Sequence, residues 1–222
     1  MSDKVPDITT GRMRTNILKE IEFKTIHYLC SIMPSWITSD LLTAIGFVGS
    51  VMVSISLFLA KSEKWCLFLI VLALAVQWFG DSLDGRLAYY RNTPRKWYGW
   101  ALDISVDWIS IAIIGFGFYY YYDDYKYIAF AFVFTYGWSM INALLRYKIT
   151  NKYSIDTNKM GPTELRIILS FFVVMEYFVQ GTLLAFGFGG TLLLIFINIK
   201  DLLDILSEGN KKDAEEKAQK LH

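Results

Sequence analysis

The 222-residue chain is short of the residues that usually build small reactive centres: it has two cysteines, two histidines and four prolines. Cys30 and Cys66 are too few for a disulfide framework and read as small apolar filler. His27 and His222 carry no partner pattern, and no role is assigned to them. Net charge is +1, which argues neither for nor against nucleic acid; no nucleic-acid partner is expected. A cleavable leader is not expected either, because the first apolar run starts near residue 41 behind a charged segment. No repeat of solenoid period occurs. Charge itself disappears from long stretches, and from Trp65 to Gly80 there is none.

What fills the chain instead is apolar: 54% of residues are hydrophobic and 17% aromatic. Runs of about 20 such residues match the length that crosses a roughly 30 Å hydrocarbon core. Six are present, near 41–60, 65–84, 98–120, 127–145, 167–186 and 189–206. The expectation is therefore an all-α, polytopic membrane bundle of six transmembrane helices over 41–206. It is preceded by a segment, 1–40, with an interfacial amphipathic helix, and followed by a charged tail, 207–222. In residues 15–33, Leu18, Ile21, Leu29 and Ile32 can share one face while Lys19, Glu20, Glu22 and Lys24 lie elsewhere. The same segment also suits a helix packed on the bundle, and Pro34 ends it in either case. Ser39-Asp40 is the expected N-cap of the first span, Lys61–Lys64 a tight turn, and Pro94 the break between spans two and three. Residues 151–162 read as a polar loop, and Tyr119–Tyr122 as an interfacial aromatic belt.

Lysine and arginine alternate between connections. Nineteen of the 22 fall in the N-terminal segment, the second and fourth connections and the C-terminal stretch, and only Lys61, Lys64 and Lys126 lie on the other side. The positive-inside rule then puts both termini and the motif described next on the cytoplasmic side.

Against this apolar background, Asp81 and Asp84 stand three apart at the end of the second run, and Asp103 and Asp107 four apart in the third. Each pair projects from one helix face. Two antiparallel helices joined at Pro94 bring the pairs level, since they lie 13 and 10 residues before that proline and 9 and 13 after it. A carboxylate at bilayer depth costs about 2.5–3.5 kcal/mol, so four cost on the order of 10 kcal/mol before their mutual repulsion is counted. Nearby Arg86 and Arg91 can neutralise part. The hard oxygen set points to Mg²⁺ or Mn²⁺, and two such ions would balance four charges and leave positions for phosphate oxygens. Gly85, Ala88 and Gly99 keep the adjoining faces bare, which suits either a nucleotide berth or close helix packing.

The stretch D81-S-L-D84-G85-R-L-A88, followed by G99-W-A-L-D103-I-S-V-D107, resembles the signature of the CDP-alcohol phosphotransferases, integral membrane enzymes of phospholipid synthesis. It departs from that signature twice. Tyr89 stands where the family carries arginine, and the interval to Gly99 is one residue longer. Arg91, seven residues after Asp84 and so nearly on its face, is the expected replacement, with Arg86 or an arginine of the fourth connection next in line.

The resemblance implies transfer of a phosphate-linked group from a CDP-activated donor to an alcohol, releasing CMP. CDP-diacylglycerol is the expected donor and a small polar alcohol the expected acceptor, with a possible homodimer. It also implies metal ligation by Asp81, Asp84, Asp103 and Asp107, a general base at Asp107, and a nucleotide contact at Thr43. Arg146, Lys148, Lys159 and Arg166 are candidates for gripping an anionic acceptor or lipid headgroups. Glu176, inside the fifth run, is expected to be functional or internally paired. The other readings are a CDP-aminoalcohol or CDP-polyol transferase, an intramembrane prenyl diphosphate transferase, and an ion transporter. The last would spread its acids through the membrane depth, whereas these cluster within 27 residues.

Overall fold

The structure is a computed structural model that describes residues 18–150 and 161–220, and every described element is helical. Seven α-helices follow one another: α1 Lys19–Ile32, α2 Ser39–Ala60, α3 Leu67–Tyr90, α4 Lys96–Tyr121, α5 Lys126–Thr150, α6 Pro162–Phe178 and α7 Thr182–Lys220. A single 3₁₀ turn, Lys64–Cys66, leads into α3. Five of these helices, α2, α3 with its leading turn, α4, α5 and α7, are long and apolar enough to cross a membrane. Two are shorter, α1 with 14 residues and α6 with 17, the latter about 26 Å long at about 1.5 Å per residue. The chain is an integral membrane protein.

Helix ends follow local chemistry. Thr38, one residue ahead of the expected Ser39-Asp40, caps α2 by accepting the Leu41 N–H at 3.2 Å. Past Asp81 and Asp84, α3 continues unbroken to Tyr90, because no proline interrupts its hydrogen-bond ladder before Pro94. At Asn92 the backbone goes left-handed, with φ 56°, a conformation asparagine tolerates better than most residues. Arg95 in this turn pairs with Asp40 at the start of α2.

The fifth and sixth runs are divided differently from expectation. The break falls at 179–181, inside the run assigned to 167–186, and not between 186 and 189. Two features place it there. Gly181 adopts φ +95°, and Glu176 reaches forward to accept the N–H groups of Gly181 (3.1 Å) and Leu183 (2.8 Å). The buried Glu176 carboxylate thus satisfies N–H groups at the start of α7, with the Tyr121 hydroxyl 3.4 Å away. At the other end, α7 runs to Lys220 without a break at 206, and the expected loop at 151–160 lies outside the described residues.

The helices close a ring in the order α3, α2, α4, α5, α7, α6 and back to α3, while α1 lies on α3. In lipid the hydrophobic effect does little between helices, so close packing and internal hydrogen bonds must hold the ring. Glycines do so between α2 and α3. A Cβ on Gly49 would sit 2.5 Å from the Gln77 nitrogen and one on Gly46 3.0 Å from that of Asp81, and one on Gly80 would strike the Gly46 backbone and the Leu42 carbonyl. Between α5 and α7, Asn198 accepts from the Ser139 hydroxyl (2.8 Å) and donates to the Thr135 carbonyl (2.7 Å), and Asn142 donates to the Asn198 carbonyl (3.1 Å).

The face of α1 turned inward is not the expected one. Glu22, Ile26 and Cys30 are buried against Leu83 and Leu87, whereas Ile21 and Ile32 are 67% and 57% exposed. The reason is Arg86: its guanidinium meets Glu22 at 2.9 Å, a buried pair that fixes the rotation of α1.

Gly80→Ala should cost about 1–3 kcal/mol, at the upper end because the obstructing atoms are backbone. A fall in thermal midpoint in detergent, with loss of monodisperse protein, is the expected result.

Candidate metal centre

The two aspartate pairs sit on α3 and α4, and both helices pack along α2 while barely touching each other. The gap this leaves is the site. It encloses about 250 Å³ including its open mouth and is lined by all four aspartates, with Thr43 and Gly46 of α2, Gln77 of α3 and Ser110 of α4 among the others.

Asp81, Asp103 and Asp107 each place a carboxylate oxygen within 4.8 Å of the other two. Around Mg²⁺, oxygens at about 2.0–2.1 Å stand roughly 3–4 Å apart, so a small contraction of this triangle forms three ligands. An all-carboxylate donor set with no described histidine or cysteine in it is the kind chosen by Mg²⁺ or Mn²⁺. The fourth, Asp84, lies on the flank of that triangle. Its Oδ2 accepts the Thr43 hydroxyl at 2.7 Å and its Oδ1 the Gly85 N–H at 2.5 Å. Thr43 thus lines the gap and its hydroxyl is committed to Asp84.

The cation at the cluster is neither of those expected from the adjoining sequence. Arg86 turns to Glu22, and Arg91 donates to the carbonyls of Ile37 (2.5 Å), Pro34 (2.8 Å) and Met33 (3.1 Å) between α1 and α2. Five residues on a helix rotate Arg86 away from Asp81 toward α1, and the α1–α2 connection lies where Arg91 would otherwise extend. In their place Arg166 of α6 binds Asp81, with Nη2 2.6 Å from Oδ2, and its Nε donates to Gln77 at 2.7 Å. Of the other acceptor candidates, Arg146 lies 3.3 Å from Asp201 on α7, Lys148 is exposed, and Lys159 is outside the described residues.

Gly99 is exposed, and a Cβ there would meet nothing within 4 Å. Gly85, Ala88 and Tyr89, the last where the signature carries arginine, are half-buried, and none of the three is among the residues that line the gap. Gln77 was not singled out from sequence, although a signal existed. It is the one amide in the uncharged run from Trp65 to Gly80, and it falls four before Asp81 on the same helical stripe.

A model of the family described as CDP-alcohol phosphatidyltransferase matches residues 36–198. The chain belongs to that family. It is accordingly an enzyme, a phosphotransferase for substituted phosphate groups that moves a phosphatidyl group from a CDP-alcohol to an alcohol. The matched stretch takes in α2 to α5, α6 and the first part of α7, and with them every helix that lines the gap holding the four aspartates. The family uses divalent metals, which agrees with the donor set of this cluster. No curated protein matches the chain closely enough to add a nearer relative.

Mn²⁺ should raise the thermal midpoint of the EDTA-treated protein. Asp103→Asn, which removes one corner of the triangle and one repelling charge, should stabilise the metal-free form and erase the Mn²⁺ response; a full response in that variant would exclude Asp103 as a ligand.

Proposed function

We propose that the protein transfers the phosphatidyl group of CDP-diacylglycerol to the hydroxyl of a small polar alcohol and releases CMP, with two Mg²⁺ or Mn²⁺ ions held by Asp81, Asp84, Asp103 and Asp107. The observation that carries this reading is the triangle of carboxylate oxygens within 4.8 Å, opened toward the gap between α3 and α4. A lipid-linked donor needs lateral entry. In support, the apolar part of α4 is mostly exposed, with Trp97 and Tyr98 more than half accessible at its first turn.

The diphosphate lies across the aspartate cluster, and Gly85, Ala88 and Gly99 leave room for the nucleotide to approach the helix backbones. Thr43 keeps Asp84 oriented from α2, and Arg91 holds the α1–α2 connection beside the nucleotide. When bound, the divalent ions polarise the diphosphate and offset the charge that builds on departing CMP. The acceptor oxygen attacks the phosphatidyl phosphorus and forms the new P–O bond, while the bond from that phosphorus to the CMP oxygen breaks. The acceptor proton passes to Asp107 as general base. Both termini and the site lie on the cytoplasmic side, in line with the lysine and arginine distribution, and α6 serves as a sixth span. Arg146 and Lys148 stand near that side as secondary grips for an anionic acceptor, and the protein acts as a homodimer.

Incubation of the protein with labelled CDP-diacylglycerol, Mg²⁺ or Mn²⁺ and one acceptor at a time tests this directly; glycerol 3-phosphate, serine, inositol, inositol phosphate and choline form the panel. CMP release that needs one acceptor and stops with EDTA is the expected result. Release from a CDP-aminoalcohol alone would reassign the donor, and release unaffected by EDTA would contradict the metal chemistry. Asp107→Asn should lower turnover by at least about 100-fold, the scale of a lost general base, with CDP-lipid binding retained. Gly99→Ala has free space around its new methyl group and should leave the thermal midpoint unchanged or raised. It should weaken CDP-donor affinity several-fold; unchanged affinity would remove Gly99 from the nucleotide berth.

A further inference from the structure

Arg166 is anchored on a different helix from every aspartate, yet its guanidinium is committed to the cluster. Both of its described hydrogen bonds go to cavity-lining residues, 2.6 Å to Asp81 Oδ2 and 2.7 Å to Gln77 Oε1, and Asp107 is near enough to add to its electrostatic stabilisation. The side chain is 14% exposed, and its remaining terminal nitrogen, Nη1, is buried without a hydrogen-bond partner. A guanidinium placed for its own sake would have all its donors met, because a buried donor left unmade costs about 1–3 kcal/mol. This one is under-satisfied and held by two bonds on one side only.

Four carboxylates in a helical membrane bundle repel one another strongly unless a cation is present. We propose that Arg166 is an electrostatic placeholder for the divalent cation: it compensates Asp81 while the site holds no metal, and its ion pair competes with metal binding. This rests on the metal site of the proposed function. A metal that takes Asp81 draws the carboxylate's charge away from the guanidinium, whose own positive charge also repels the ion. The pair thus stabilises the metal-free fold and weakens metal affinity. The opposite arrangement is a fixed outer brace, in which Arg166 holds Oδ2 to aim Oδ1 at the metal, as outer partners of metal ligands commonly do. The two differ in sign.

The test uses the full chain in detergent, with Mn²⁺ alone as probe, its affinity read from the free-ion spin-resonance signal and the thermal midpoint measured in EDTA. For a placeholder, Arg166→Gln lowers the midpoint in EDTA and binds Mn²⁺ roughly tenfold tighter, since a nearby like charge has been removed. Unchanged or weaker Mn²⁺ binding overturns the proposal in favour of a brace or of no role. If Arg166→Gln does not fold, Gln77→Leu keeps every charge and removes one of the two bonds. It should lower the EDTA midpoint and tighten Mn²⁺ several-fold, and unchanged or weaker binding overturns the proposal equally. Failure of the metal reading is separable: wild-type protein that binds no Mn²⁺ removes both, whereas wild-type binding lost in Asp103→Asn, with no tightening in the Arg166 variant, removes this inference alone.

Discussion

Four carboxylates facing one another inside an apolar helical bundle are the constraint around which this molecule is arranged. Neither burial nor exposure relieves it, because the aspartates line a gap between helices that also face lipid. Relief has to come from positive charge, and the fold supplies room for it by keeping α3 and α4 on either side of α2. Were the two helices packed directly together, the carboxylates would be pressed into contact with no space for an ion or a diphosphate. The gap and the charge are thus one design: the separation that admits the cation is made by the same glycine-lined α2–α3 contact that sets the position of Asp81.

The surroundings of the site divide the work of holding those charges still. Thr43 and the Gly85 N–H fix Asp84 from one side, while Arg166, held in turn by Gln77, reaches Asp81 from the other. The remaining arginines of the motif region act at a distance. Arg86 locks α1 onto α3 through Glu22, and Arg91 ties down three carbonyls of the connection that follows α1. The short helix α1 is in this way made part of the support of α3, which explains why its buried face carries an acid.

Much of this was legible in the sequence, for reasons that are local. The apolar runs gave the helices, and the i, i+3 and i, i+4 spacing of Asp81, Asp84, Asp103 and Asp107 placed each pair on a face. The register about Pro94 brought the pairs level. What depended on tertiary contacts was not legible. The break between α6 and α7 is decided by Glu176 folding forward onto Gly181 and Leu183, in a stretch whose hydropathy is continuous. Arg86 and Arg91 lie beside the aspartates in sequence yet are drawn off by α1, and the inward face of α1 follows from that pairing rather than from its apolar stripe. Arg166 sits 85 positions from Asp81; it stands among the arginines of the fourth connection as a fallback, but nothing in local spacing selects it over Arg146.

The central claim is that these carboxylates form a cage for divalent cations. Diffraction from crystals grown with Mn²⁺, measured at the manganese absorption edge, tests it most directly. An anomalous peak bonded to oxygens of Asp81, Asp103 and Asp107, with any second peak toward Asp84, is what the account predicts. Manganese density elsewhere in the bundle, with none between α3 and α4, would contradict it.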